Sequence, residues 1–107
     1  MTVELWGLKT CDTCKKALKA LPGATLRDVR ANPLSADEIA DLLARFGDKA
    51  VNRASTTWRA LSDDERAGDP AALLAEHPAL MKRPVIRAGG AVHLGWTPAV
   101  RAALGID

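Results

Sequence analysis

The sequence predicts a single α/β domain built on a mixed four-stranded sheet. Three observations support this fold class: a strand-helix-strand pattern fills the first 29 residues, a hairpin-helix pattern begins at Val85, and the stretch between is helical throughout. A chain of 107 residues accommodates one hydrophobic core more readily than two. We therefore expect one domain over residues 1–107, with a helical insert at about 35–80.

The N-terminal pattern predicts a parallel βαβ unit. Residues 3–8 (VELWGL) are typical of a buried strand, and residues 24–29 suit a second strand. Between them, a helix should begin at about Asp12, whose side chain is expected to cap the first turn, and should end at Pro22-Gly23. Its apolar residues follow helical spacing, at Cys14, Ala17, Leu18 and Leu21. A helix that joins two parallel strands makes a right-handed crossover in nearly all proteins.

The middle of the chain predicts helices. Ser35 and Glu38 have the spacing of a capping box, and the helix that they open carries apolar residues at helical spacing, Ile39, Leu42, Leu43 and Phe46. Residues 56–77 predict further short helices, one around Trp58 and one opened by Asp69-Pro70.

The C-terminal pattern completes the sheet. Val85 to Leu94 predicts a β-hairpin that turns at Gly89-Gly90. Thr97-Pro98 then opens a last helix, with three residues expected to point inward, Val100, Ala103 and Leu104. The order βαβ, helices, ββα is a thioredoxin-like topology with a helical insert between its halves.

Composition narrows the classes of partner and location. Hydrophobic residues make up 48% of the chain, charged residues 26%, and the formal net charge is +2. This balance favours neither direct nucleic-acid binding nor membrane association. No apolar run is long enough to span a bilayer, and the N-terminus lacks the features of a signal peptide. We expect a cytoplasmic protein, in which a structural disulfide is uncommon.

The strongest chemical signal is the pair Cys11 and Cys14 at the junction of the first strand and first helix. A helix N-terminus offers unpaired amide N–H groups and the positive end of the helix dipole, and both stabilise a thiolate. The i, i+3 spacing lets the two sulfurs meet. We expect Cys11 to be a catalytic nucleophile and Cys14 to be the thiol that resolves its adducts.

Other interpretations of these residues remain open. Cys14 falls on the apolar face of the helix and could be a small core residue. A zinc site would need His77 and His93 as further ligands, but their spacing is not that of a ligand pair, so we expect no metal. Because no nucleotide or flavin motif is present, we expect no bound cofactor and infer glutathione or thioredoxin as the electron donor.

Arg83-Pro84 stands immediately before the predicted hairpin. In a thioredoxin-like fold Pro84 would lie across from the Cys11 turn as a cis proline. Arg83 would then face Cys11 and stabilise its thiolate or a bound anion. The alternative is that Arg83 is an ordinary surface charge.

The sequence resembles the arsenate reductase-like family, which includes ArsC, Spx and YffB-type proteins. The resemblance lies in four stretches that keep the order of the family's motifs, GLKTCDTCKKAL (7–18), NRASTTWRAL (52–61), MKRPVI (81–86) and Gly95-Trp96. It implies a thioredoxin-like core with a helical insert and Cys11 as the nucleophile. It also implies that Arg83 contacts the oxyanion or thiolate, that Pro84 is the family's cis proline, and that Arg53 occupies its first arginine position.

The resemblance leaves two functions in competition. Glutathione-dependent ArsC enzymes use three arginines around arsenate, and the third position here is Trp96 or Thr97, so the full oxyanion clamp is missing. The residues Thr56 to Arg59 are most similar to YffB-type proteins, which implies a thiol reductase linked to glutathione, glutaredoxin or thioredoxin. The pair that includes Cys14 is similar to Spx, which implies a redox-sensing regulator that binds the RNA polymerase α-subunit.

We predict the oxidoreductase, acting on a thiol or oxyanion substrate, with the regulator as the alternative. Lys9 is expected to contribute to substrate binding. Three lysines of the first helix, Lys15, Lys16 and Lys19, could bind glutathione carboxylates together with Lys9. Such a run of lysines is also typical of a solvated helix face.

Overall fold

The computed structural model of the chain describes residues 3–106. Within these residues, four strands and six helices follow one another in the order β1 (Val3–Gly7), α1 (Asp12–Ala20), β2 (Thr25–Asp28), α2 (Ala36–Phe46), α3 (Thr56–Ala60), α4 (Asp63–Arg66), α5 (Pro70–Glu76), β3 (Val85–Ala88), β4 (Ala91–Leu94) and α6 (Pro98–Ala103). Short 3₁₀ turns cover Gly47–Ala50 and Pro78–Leu80. Within the described residues, no helix has both the length and the apolar character needed to cross a membrane.

The strands form one mixed sheet in the order β2-β1-β3-β4. The central strand β1 pairs in parallel with β2, with Leu5 opposite Leu26, and antiparallel with β3, with Leu5 opposite Ile86. The hairpin β3-β4 is antiparallel. The predicted mixed sheet, with a βαβ unit followed by ββα, is confirmed.

The chain divides into two compact units, the first made of residues 1–29 and 83–107, the second of Arg30–Lys82. The first unit contains the sheet, α1 and α6, and the second contains α2 to α5. The expectation of a single domain over residues 1–107 stays a prediction.

One face of the sheet carries the hydrophobic core of the first unit. Its buried members come from β1, from α1 and the residue that ends it, and from β3, and they are Leu5, Cys14, Ala17, Leu21 and Ile86. Val100 and Leu104 of the C-terminal helical segment pack against this cluster. Ala103 does not, because it is exposed, and the prediction that it points inward is wrong. Residues 100 and 104 are one turn apart and share a face, whereas residue 103 lies about 100° away from its neighbour 104.

The other face of β1 presents Trp6, whose side chain is 1% exposed. Its indole N–H donates a hydrogen bond to Glu4. The guanidinium groups of Arg27 and Arg87, on the two neighbouring strands, lie 5.4 and 5.0 Å from the ring centroid. These distances are typical of cation–π interactions, which hold the three strands together on this face.

The second unit is built from capped helices. Ser35 and Glu38 form the predicted capping box, with reciprocal bonds of 3.1 and 2.8 Å between each side chain and the other residue's amide. The same motif at Ser62 and Glu65 opens α4, a helix that the sequence analysis did not single out. The core of the unit is formed mainly by aliphatic side chains, Ile39, Leu42, Val51, Leu61, Leu73, Leu74, Leu80 and Met81.

Candidate active site

Cys11 is the residue that caps the first helix. Its backbone is extended (φ −83°, ψ 121°), and its carbonyl accepts the N–H of Lys15 at 3.0 Å. Its own N–H donates to the Leu8 carbonyl at 3.0 Å, which closes the turn that leaves β1. Asp12 is the first helical residue, so its predicted role as the cap is wrong. An extended residue precedes the helix, and that residue is Cys11.

The N-terminal amides of α1 influence the Cys11 thiol. The Cys11 side chain forms no capping hydrogen bond, but the amides of Cys14 and Thr13 both lower the pKa of Cys11. Amide groups at a helix N-terminus are otherwise unpaired, and they favour a negative charge in this position. The half-buried side chain keeps part of its surface open to a reactant.

The environment lowers the pKa of Cys11 below its ordinary value. Burial is the largest single influence and acts in the opposite direction. It is outweighed by hydrogen bonds from the Cys14 amide and thiol, the positive charge of Arg83 and the Thr13 amide, in that order. Because the thiolate is the nucleophilic form of cysteine, this environment favours the reactive form of Cys11.

Cys14 has the opposite character. Its side chain is 0% exposed and belongs to the core of the first unit. Burial and, to a smaller extent, the interaction with Cys11 raise the pKa of Cys14 to about 11, although the Leu8 amide and the Arg83 charge act in the other direction. The reduced pair is therefore asymmetric, because the pKa of Cys11 is lowered and that of Cys14 is raised. Both cysteines are free thiols in this structure.

Arg83 and Pro84 approach this site from the residues that precede β3. The Arg83-Pro84 peptide bond is cis, as expected for Pro84, and the Pro84 carbonyl accepts the Gly95 amide at 2.8 Å. The half-buried Arg83 is close enough to lower the pKa of both thiols. The role of Arg83 at the site, as opposed to that of a surface charge, stays a prediction.

The two other predicted binding residues are placed differently. Lys9 is exposed in the turn between β1 and α1, and its amide donates to the Asp28 carboxylate at 3.1 Å. Arg53 belongs to the second unit, where it pairs with Asp48 at 3.6 Å and lies 5.3 Å from the Trp58 ring centroid. Their contribution to substrate binding stays a prediction. Over residues 3–106, no group of three or more His, Cys, Asp or Glu side chains could hold a metal ion.

Gly7 is the site residue that sequence reasoning missed. A Cβ built on Gly7 would lie closer than 3.0 Å to the Cys14 sulfur, which side-chain atoms do not tolerate. The missing side chain therefore makes the space that the Cys14 sulfur occupies. The sequence held only a weak signal of this, a glycine at the end of a strand otherwise made of larger residues.

Comparison with known proteins identifies the family. A family model described as ArsC family matches residues 6–103. The chain belongs to the ArsC family. An uncharacterised protein of Haemophilus influenzae is 36% identical to it over 103 residues, which cover 88% of this chain and 90% of the relative.

Solved structures of similar proteins share the fold. The YFFB protein is 31% identical, with a TM-score of 0.85 over 94% of this chain and 96% of its own. An arsenate reductase (ArsC) related protein from Brucella melitensis is 32% identical, with a TM-score of 0.75 over 99% and 97%. An arsenate reductase from Vibrio cholerae is 21% identical, with a TM-score of 0.74 over 100% and 98%, a likeness that concerns the fold alone. The predicted thioredoxin-like fold of this arsenate reductase-like family is confirmed.

Proposed function

We propose that this ArsC family member is a thiol-dependent oxidoreductase in which Cys11 attacks the substrate and Cys14 resolves the adduct. The observation that carries the proposal is the position of the Cys11 sulfur at the N-cap of α1, where two amides, the Cys14 thiol and the Arg83 charge favour its thiolate. A partly exposed thiolate beside a second thiol has the parts that thiol–disulfide exchange requires.

The reaction that fits these parts is the reduction of a mixed disulfide between glutathione and a second thiol. The Cys11 thiolate attacks the glutathione sulfur, the disulfide bond breaks, and the second thiol leaves as its thiolate. Cys14 then loses its proton to solvent and attacks the Cys11 sulfur, which releases glutathione and leaves a Cys11–Cys14 disulfide. Two further glutathione molecules, or one dithiol such as reduced thioredoxin, return both cysteines to the thiol form and are oxidised to a disulfide.

Ionisation of Cys14 is coupled to the first step. While Cys11 is a thiolate, its charge and its hydrogen bond both help to keep the pKa of Cys14 high. Formation of the mixed disulfide removes that charge, so the pKa of Cys14 falls when a nucleophile is needed there. The Leu8 amide and Arg83 still favour the Cys14 thiolate at that stage. The resolving thiol is thus protected until an adduct has formed.

A thiol substrate suits this chain better than arsenate. The resemblance places Trp96 or Thr97 where glutathione-dependent arsenate reductases have a third arginine, and neither side chain offers a bidentate, charged contact to an oxyanion. Arg83 and the amides of α1 supply positive potential for a glutathione carboxylate or for the developing thiolate. We therefore rank arsenate reduction second.

Turnover of a glutathione mixed disulfide tests the proposal. The assay contains glutathione, glutathione reductase and NADPH, with NADPH consumption as the readout, and is repeated with thioredoxin, its reductase and NADPH. We expect catalysis by the wild type and none by Cys11→Ser. Cys14→Ser should keep only the glutathione-dependent route, because glutathione itself can resolve the Cys11 adduct.

Two outcomes would contradict the proposal. One is wild-type turnover no faster than that of Cys11→Ser. The other is the absence of turnover together with capture of the RNA polymerase α-subunit that depends on oxidation of the pair, which would favour the regulatory alternative. Arsenate offered as a substrate in the same assay ranks the two substrate classes directly.

A further inference from the structure

The resolving cysteine lies against the backbone of β1 without an intervening side chain. A Cβ on Gly7 would overlap the Cys14 sulfur and would also approach Leu5 Cδ2 at 3.3 Å and Cys14 Cβ at 3.4 Å. Only the contact with the sulfur is sterically impossible, since the other two are tight but can be relieved by small shifts. Gly7 has no positive φ that would require glycine, so its special property here is its lack of a side chain.

The position of the Cys14 sulfur beside Gly7 also determines its polar surroundings. At this position the amide of Leu8, the next residue along the chain, lowers the pKa of Cys14 and so favours its thiolate. The Cys14 thiol in turn lowers the pKa of Cys11. A sulfur displaced from β1 would lose the Leu8 amide and would approach Cys11 from another direction.

We propose that Gly7 is a positioning residue for the resolving step, because its missing side chain makes the space against β1 in which the Cys14 sulfur lies. The inference rests on the proposed function, in which Cys14 attacks the Cys11 adduct. It extends that function because the rate at which Cys14 attacks the adduct then depends on Gly7, a residue that takes no part in the chemistry. Resolution within a protein depends on alignment, and displacements of about 1 Å can change such rates by about a hundredfold.

The experiment follows the reaction of the reduced full-length protein with 5,5′-dithiobis(2-nitrobenzoate), an aromatic disulfide whose released thiolate absorbs light. Attack by Cys11 releases one thiolate in a phase proportional to reagent concentration. Attack by Cys14 on the resulting adduct releases the second in a phase independent of reagent concentration, and leaves the Cys11–Cys14 disulfide. The first phase therefore measures the nucleophile and the second measures resolution.

We expect Gly7→Ala to slow the second phase by about tenfold or more and to leave the first phase within about threefold of the wild type. Gly90→Ala is the matched control, since a Cβ at Gly90, in the turn between β3 and β4, meets no atom within 4 Å. It should change neither phase. A general loosening of the fold would alter both phases and would not separate them.

A double-mutant cycle tests whether the effect passes through the sulfur. Gly7→Ala should lower the urea midpoint of unfolding in the wild-type background and should lower it much less in Cys14→Ala, where the sulfur is gone. If Gly7→Ala does not fold alone, folding of Gly7→Ala/Cys14→Ala supports the proposal. Failure of both variants to fold overturns it.

The remaining outcomes separate this inference from the proposed function. A second phase in Gly7→Ala that is as fast as in the wild type, or faster, overturns the role of Gly7 alone. Two phases in the wild type without turnover of glutathione mixed disulfides refute the proposed function and leave the role of Gly7 standing. A wild type that releases only one thiolate refutes resolution by Cys14, and the inference with it.

Discussion

Replacement of Cys11 by serine should make Cys14 more reactive, although it removes the nucleophile of the pair. The pKa of Cys14 is raised to about 11, mainly by burial, and two smaller contributions of the same sign within that value come from Cys11, a hydrogen bond and charge repulsion. Serine stays neutral and therefore removes the repulsion and the hydrogen bond to a thiolate. The burial of Cys14 and its contact with the Leu8 amide remain, so the pKa of Cys14 falls without a change in its packing.

The size of the effect has an upper limit set by ionisation. At about pH 8, a pKa of about 11 leaves about one Cys14 side chain in a thousand ionised, whereas a thiol with the ordinary pKa of about 8.5 is about one quarter ionised. Ionisation alone therefore makes Cys14 in the reduced pair about two hundredfold less reactive than an ordinary thiol. Because Cys14 is equally buried in the wild type and in Cys11→Ser, its reaction rate in the variant should exceed that in the wild type by a factor between one and this limit.

The assay is alkylation by iodoacetamide, with each cysteine quantified by peptide mass spectrometry. In the wild type, Cys14 must be followed in molecules whose Cys11 is still unmodified, because alkylation of Cys11 removes its charge. The rate of Cys14 modification is therefore taken from initial rates in that fraction. We expect Cys14 to react at least several-fold faster in Cys11→Ser. Equal rates, or a slower rate in the variant, would refute the coupling between the two thiols and the order of events derived from it.

Two further perturbations address the site and the fold. Arg83→Ala should raise the pKa of Cys11, so the curve of Cys11 alkylation against pH moves to higher pH and the rate near neutral pH falls. Arg83→Lys keeps the positive charge and should shift the curve less. An unchanged curve in Arg83→Ala would contradict the placement of Arg83 beside Cys11. Leu42→Ala removes a side chain that is 0% exposed and should lower the free energy of unfolding in urea by about 2–5 kcal/mol. The control Arg45→Ala, at an exposed position, loses an ion pair with Asp41 one turn away and should lower the free energy of unfolding by about 0.5 kcal/mol or less. Similar losses of stability in Leu42→Ala and Arg45→Ala would contradict the burial of Leu42 in the core of the second unit.

The fold was predictable because its signals are local. The capping box at Ser35 and the Thr97-Pro98 start of α6 mark helix boundaries, and the structure has helices at both places. The wrong predictions also concern local choices. Asp12 is a suitable capping residue by type, but a side chain caps a helix from one specific backbone position, and that position is Cys11. Ala103 fits an apolar periodicity, yet a short helix buries only a narrow face.

The site was predictable in its chemistry and unpredictable in its packing. The position of Cys11 at a strand-helix junction was sufficient to expect a stabilised thiolate, because helix amides and the helix dipole act over one turn of the same segment. The space beside Gly7 depends on how closely α1 packs on β1, which no pattern within either segment specifies. Cys14 is buried in the core of the first unit, as one interpretation of the sequence expected, and its role as the partner of Cys11 in catalysis stays a prediction.

The asymmetry of the two thiols follows from their places in one helical turn. Cys11 stands outside the first turn, where helix amides lower its pKa and part of the side chain remains exposed. Cys14 stands three residues later on the face that packs against β1, where burial opposes its ionisation. In the proposed function, an incoming disulfide therefore reacts with Cys11, and Cys14 acts after the adduct has formed. In that proposal, the order of two chemically identical groups follows from a single turn of helix packed against a strand that lacks one side chain.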